Sequence, residues 1–150
     1  MLTEDRIERE TLIEASIERV WSLVTQPGFW AAYDKADVDG TVAREGETVI
    51  APNSKYGDFP VRVERVEPQT FVAYRWASAF PGEDIRDDNS TLIEFTLTDE
   101  GGRTRLRVVE SGFGGLAGGD ELRRKALEDN TGGWAEEIAG LKARAEQLSA

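Results

Sequence analysis

Apolar and polar residues alternate with a period of two along several short stretches of the chain. In the clearest stretch, Ile93, Phe95 and Leu97 alternate with Glu94 and Thr96. Because successive strand side chains point to opposite faces, this pattern predicts strands with one buried and one solvated face. Stretches with strand chemistry occupy residues 7–15, 37–43, 48–51, 59–66, 71–76, 91–97 and 104–110.

Two segments have the helical period instead. The first carries apolar residues at i, i+3, i+4 and i+7, with Ser16 as a candidate N-cap and Pro27 ending the helix at or before Gln26. A second short helix is expected from Phe29 to Tyr33. The apolar positions of the first helix are Ile17, Val20, Trp21 and Val24.

A long C-terminal helix is predicted by an apolar stripe at spacings of four and three residues. Residues 120–129 also look helical, but each glycine of the pair Gly132-Gly133 costs about 1 kcal/mol inside a helix. We therefore expect a break or kink at this pair. The stripe consists of Trp134, Ile138, Leu141, Ala145 and Leu148.

The connections between the predicted strands are short, which favours antiparallel neighbours. An antiparallel sheet must cover its apolar face, and the last helix has a suitable stripe. The sequence therefore predicts an α+β fold with a curved antiparallel sheet of about six to seven strands wrapped around the long C-terminal helix. The length of 150 residues predicts a single domain spanning residues 1–150.

The composition removes several kinds of chemistry. The chain has no cysteine and no histidine, which excludes disulfides, thiolate metal sites and imidazole catalysis. A formal net charge of -11 disfavours nucleic acid and anionic membranes as partners. The N-terminus lacks the pattern of a signal peptide, and no apolar run approaches the roughly 20 residues of a membrane span. We expect a cytoplasmic protein without a cofactor or a metal ion.

The strand at residues 104–110 places a carboxylate on its apolar face. Leu106, Val108 and Glu110 share one side, so Glu110 points inward if the other two face the helix. A buried carboxylate costs several kcal/mol unless it is paired, hydrogen-bonded or protonated. Either Glu110 reaches solvent or an arginine at the strand end, or it serves as a polar anchor or general base in a pocket.

Aromatic residues on the same predicted interior suit either a pocket wall or an ordinary core. Tyr74 and Trp76 lie on one strand face, Trp30 and Tyr33 near the first helices, and Trp134 at the stripe of the last helix. Tyrosine and tryptophan combine an apolar ring with a polar group, which is useful in both settings. The sequence does not separate the two alternatives.

Four separated segments together resemble one known family. They are SIERVWSLVTQPGFW at 16–30, RVERVEPQTFVAYRW at 62–76, STLIEFTLTDEGGRTRLRVVESGF at 90–113 and GGWAEEIAGLKARAEQL at 132–148. In this order and spacing they resemble the bacterial single-domain homologues of the activator of heat-shock protein 90 ATPase, within the START and Bet v allergen-like superfamily. The resemblance implies a helix-grip fold whose sheet and long helix enclose a cavity, usually for a hydrophobic small molecule.

Members of this superfamily range from lipid carriers to cyclases and chaperone regulators, so three functions stay open. The first is non-catalytic binding of a hydrophobic small molecule. The second is a cyclase or hydrolase in which Glu110 or Tyr74 transfers protons, and the third is a chaperone-regulating interaction through the acidic surface. The expected cavity residues are Trp30, Tyr33, Tyr74, Trp76, Phe95, Val108, Glu110, Phe113, Trp134, Ile138 and Leu141.

Overall fold

The computed structural model describes residues 5–26, 44–51, 59–80 and 82–148. These residues form six strands, two α-helices and one 3-10 turn. The elements, in chain order, are β1 (Arg6–Ile13), α1 (Ile17–Val24), β2 (Thr48–Ala51), β3 (Phe59–Glu67), β4 (Phe71–Trp76), β5 (Thr91–Asp99), β6 (Thr104–Ser111), the 3-10 turn (Phe113–Gly115) and α2 (Asp120–Leu148).

The strands form one antiparallel sheet in the order β1-β6-β5-β4-β3-β2. Each pair between β2 and β6 is consecutive in the chain, and β1 adds to the far side of β6. The predicted α+β class with an antiparallel sheet and a long C-terminal helix is confirmed. The predicted strand at residues 37–43 and the second short helix at residues 29–33 lie outside the described residues.

The period-two pattern separates the two faces of the sheet as predicted. Inward-facing residues of β5 and β6 are buried, whereas the outer face carries arginine–glutamate pairs. These pairs are partly exposed and screened by solvent, so each contributes little to stability. Among them are Arg107 with Glu8 at 2.8 Å, Arg105 with Glu100 at 2.6 Å and Arg62 with Glu64 at 2.8 Å.

The first helix begins and ends where the sequence predicts. The Ser16 side chain accepts a hydrogen bond from the Arg19 N–H at 3.3 Å, which caps the N-terminus of α1. The helix ends at Val24, before Pro27. Its buried side, with Val20, Leu23 and Val24, packs into the same interior as α2.

The break expected at Gly132-Gly133 is wrong, because α2 is one continuous helix of 29 residues. The alternative of a kink at this pair stays a prediction. Burial on both sides of the glycine pair outweighs their helix cost. Ala126 is buried before the pair, and Trp134, Leu141 and Ala145 are buried after it. In the described part of the chain, neither helix is long and apolar enough to cross a membrane.

Candidate functional site

Glu110 lies in the interior between the sheet and α2, with no exposed side-chain surface. The inward direction predicted from Leu106 and Val108 is confirmed. In the sheet, Glu110 stands between Ile93 of β5 and Ile7 of β1, whose side chains are also buried. The alternative that Glu110 reaches solvent at the strand end is therefore wrong.

Four neutral side chains from three elements donate hydrogen bonds to this carboxylate. Glu110 Oε2 accepts from Trp76 Nε1 at 2.8 Å and from Thr91 Oγ1 at 2.5 Å. Glu110 Oε1 accepts from Trp134 Nε1 at 2.7 Å. Asn130 Nδ2 lies 3.1 Å from Oε1 and 3.2 Å from Oε2. The alternative of an arginine partner is wrong as well, because these donors carry no charge.

Burial raises the pKa of the Glu110 carboxyl above its ordinary value of 4.5, and this is the dominant effect. Hydrogen bonds from Thr91, Trp76, Trp134 and Asn130 act in the opposite direction, since donors stabilise the charged form. Desolvation exceeds their sum. The site therefore favours the protonated carboxyl more than water does.

The hydrogen bonds of the Glu110 carboxylate connect the sheet to α2. Trp76 belongs to β4 and Thr91 to β5, whereas Asn130 and Trp134 lie one turn apart on α2. Asn130 Nδ2 also donates to Ser78 Oγ at 2.9 Å, which attaches the chain just after β4 to the same helix. We call Glu110, Trp76, Thr91, Asn130 and Trp134 the carboxylate cluster.

Aromatic rings continue from this cluster through the interior. Trp134 and Phe95 meet edge to face with centroids 5.7 Å apart, and Phe95 meets Tyr74 in the same manner at 6.1 Å. The Tyr74 hydroxyl donates to the Val24 carbonyl at 2.6 Å, so its polar end is bound to α1. All three rings are buried in the interior.

Trp76 differs from the other expected cavity residues of the described region because its side chain is partly exposed. Its ring lies 5.7 Å from that of Phe59 at an angle of 54°. Ala79 and Phe80, which follow β4, are also partly buried apolar residues packed against the core. The remaining expected residues Val108, Phe113, Ile138 and Leu141 are buried, and Trp30 and Tyr33 lie outside the described residues.

Sequence reasoning missed Thr91 and Asn130 as partners of Glu110. Both lie in phase with an apolar series: Thr91 begins the inward-facing row that continues with Ile93 and Phe95, and Asn130 stands four residues before Trp134, the first residue of the helix stripe. A polar residue in phase with a buried face was the available signal. No group of three or more carboxylates suited to a metal ion occurs within the described ranges.

A family model described as activator of Hsp90 ATPase homolog 1-like protein matches residues 14–146. No curated protein sequence is significantly similar to the chain. Among solved structures, protein MLL2253 from Mesorhizobium loti is 21% identical with a TM-score of 0.69, and the match covers 92% of this chain and 94% of that protein.

Two further solved structures share the fold at similar identity. The Aha1 dimer from Colwellia psychrerythraea is 19% identical with a TM-score of 0.71, covering 95% of this chain and 97% of that one. DynU16, from the dynemicin biosynthetic locus, is 19% identical with a TM-score of 0.70, covering 97% of this chain and 49% of DynU16. This chain thus matches about half of DynU16. Identities at this level establish the fold alone.

Proposed function

The chain belongs to the family of activator of Hsp90 ATPase homolog 1-like proteins, and we propose that it binds a hydrophobic small molecule between the sheet and α2 without catalysing a reaction. The observation that carries the proposal is the setting of Trp76. Its indole N–H is fixed 2.8 Å from Glu110 Oε2, while its side chain stays partly exposed. A ring that is fixed at its polar edge loses little side-chain entropy when a ligand covers its face.

The surroundings of Trp76 extend this apolar surface. Phe59 lies against its ring, and Ala79 and Phe80 follow at the end of β4. Ligand pockets combine such apolar walls with a few polar groups that fix orientation. We therefore assign Trp76 to the entrance of the expected cavity, with Tyr74, Phe95 and Trp134 deeper inside.

The contacts of the two proton-transfer candidates favour binding over catalysis. Both Glu110 oxygens accept hydrogen bonds from protein donors, and the Tyr74 hydroxyl donates to the Val24 carbonyl. A general base must come within hydrogen-bond reach of the proton that it removes. Glu110 therefore acts as a positioning residue that holds the indoles of Trp76 and Trp134.

A titration with the fluorescent apolar probe 1-anilinonaphthalene-8-sulfonate tests this assignment. Trp76→Ala is expected to weaken probe binding about tenfold, since burial of an aromatic side chain contributes on the order of 1.5–3 kcal/mol. Trp21→Ala is the matched control, because Trp21 is another partly exposed tryptophan packed on the core. Circular dichroism verifies that both variants are folded. Equal affinity of the two variants would contradict the assignment.

The chaperone-regulating alternative stays a prediction from the family. In this alternative the acidic surface would contact the chaperone, since the net charge of the chain is -11. Association carried by exposed charges weakens as salt is added, because the Debye length falls to about 8 Å at physiological ionic strength. Binding to the chaperone that does not respond to salt would contradict this alternative.

A further inference from the structure

Among the strands that the structure describes, β1 forms one edge of the sheet and pairs with β6 on its other side. Backbone contacts define which residues point toward each side. The Asp5 carbonyl accepts from the Phe113 N–H, which follows β6, whereas the Leu12 carbonyl accepts from Lys142 Nζ of α2. Backbone N–H and C=O groups alternate in direction along a strand. Those of the odd-numbered residues of β1 therefore face β6, and those of the even-numbered residues face away from the sheet.

The two halves of this outer edge differ. Near the end of β1, side chains of α2 cover it: Lys142 binds the Leu12 carbonyl at 2.8 Å, and Glu146 Oε2 accepts from the Glu14 N–H at 2.8 Å. Toward the start of β1 the edge opens into a groove of about 570 Å³. The groove is lined by Asp5, Arg6, Ile7, Glu8, Arg9, Leu127 and Thr131.

The charges along this groove are antisymmetric about Ile7. Ile7 is preceded by an acidic and then a basic residue, Asp5 and Arg6. It is followed by an acidic and then a basic residue, Glu8 and Arg9. An antiparallel copy centred on Ile7 therefore brings Arg6 opposite Glu8 of the second copy and Asp5 opposite Arg9 of the second copy. The segment is also neutral in sum, although the chain carries a net charge of -11.

We propose that the groove receives the β1 strand of a second copy of this chain, which joins two six-stranded sheets across a two-fold axis. Arg6 and Glu8 both direct their backbone groups outward, so each opposed pair exchanges two main-chain hydrogen bonds. The two Ile7 residues meet at the axis, and each opposite-charge pair adds a favourable cross-strand contact. Pairing of the two β1 strands also satisfies the backbone groups of the sheet edge, which could otherwise pair with strands of other chains.

Sedimentation equilibrium of the full chain tests the proposal. We expect a mass of twice the 16.6 kDa chain at protein concentrations of about 100 μM, which corresponds to a dissociation constant in the micromolar range. Glu8→Pro is expected to abolish association while the chain stays folded, because it removes an outward N–H that β6 does not use. A chain that stays monomeric up to a protein concentration of about 1 mM would overturn the proposal, because its dissociation constant would then exceed the millimolar range. The occupant of the groove would in that case be an extended segment of another protein.

Charge exchange separates this pairing from other dimers. Arg6→Glu places two acidic residues opposite each other and is expected to weaken association about tenfold. Adding Glu8→Arg together with Arg107→Glu restores the opposite-charge pairs between the copies, keeps the pair between positions 8 and 107 within each chain, and is expected to restore association. Arg144→Glu makes the same charge change at an exposed position of α2 outside the groove, and it is the control for net charge. A dimer whose affinity is unchanged by Glu8→Pro would overturn the β1 pairing. An Arg6→Glu defect that the compensating changes at positions 8 and 107 do not rescue would overturn it as well.

Discussion

Glu110 illustrates how one buried carboxylate is accommodated in an apolar interior. A charged group without partners would cost several kcal/mol there. Two indole N–H groups, a hydroxyl and an amide surround it, so each oxygen has at least two donors within 3.2 Å. The donors leave no orphaned oxygen, and the carboxylate in turn fixes the side chains of Trp76 and Trp134.

Loss of one acceptor oxygen in the carboxylate cluster should therefore reduce the stability of the protein. Glu110→Gln replaces an oxygen with an amide that faces N–H donors, so at least one donor loses its partner. We expect the free energy of unfolding to fall by about 1–3 kcal/mol in urea titrations near pH 6. Glu94→Gln makes the same chemical change on the outer face of β5. A loss no larger than that of Glu94→Gln would contradict the role of the cluster.

The raised pKa of Glu110 gives this difference a pH dependence. A carboxyl whose folded-state pKa exceeds its unfolded value stabilises the fold fully below the unfolded pKa, and this contribution is lost as the pH rises through the folded pKa. Glutamine does not titrate. The stability advantage of the natural protein over Glu110→Gln should therefore be larger at about pH 5.5 than at about pH 8. An advantage that grows with pH would show that the charged form is preferred.

Single residues were the least predictable part of the site. The phase of Leu106 and Val108 was sufficient to predict that Glu110 points inward. The partners were not predictable, because they come from β4, β5 and α2, and no sequence period relates those elements to β6. The available sequence signal was that Thr91 and Asn130 are polar residues in phase with two apolar series.

At the scale of elements, α2 shows how tertiary packing overrides local preference. The glycine pair at its centre predicts a break, yet the helix is continuous from Asp120 to Leu148. Glu110 binds Asn130, two residues before Gly132, and Trp134, which directly follows Gly133. Contacts on both sides therefore hold the helical path across the pair. The strands and α1 were predictable because local pattern and packing agree there.

Alanine at these glycines should stabilise the protein. A Cβ added at Gly132 or Gly133 meets nothing within 4 Å, and neither residue has a positive φ. Each substitution is expected to raise the free energy of unfolding by up to about 1 kcal/mol. Thermal and urea unfolding measure this gain.

Gly118→Ala is the matched control for those two substitutions. Gly118 has a φ of +109°, and its Cβ would lie 2.7 Å from Leu122 Cδ1, so alanine there should destabilise the protein. Destabilisation by alanine at Gly132 or Gly133 would indicate that these glycines serve a close approach or a motion of α2.

At the scale of the whole molecule, the sheet separates a charged outer face from an interior shared with α1 and α2. Within the described residues, the strand order and the two helices were predictable except for the break at Gly132-Gly133, because period-two and period-3.6 patterns together with short connections admit few arrangements. Function was less predictable, since a cavity wall and a filled core use the same residues. Tyr74, Phe95 and Trp134 show this directly: they are buried, and their burial alone does not reveal a ligand. The single domain and the cytoplasmic location stay predictions.

Ligand binding between the sheet and α2 is the central claim, and native mass spectrometry of the freshly purified protein tests it most directly. Bound compounds are extracted with solvent and identified, and Trp76→Ala is measured in parallel with Trp21→Ala. We predict an apolar adduct that is retained in Trp21→Ala and lost in Trp76→Ala. An adduct that survives in Trp76→Ala, or a chain that binds no apolar compound even when such compounds are supplied in excess, would contradict the claim.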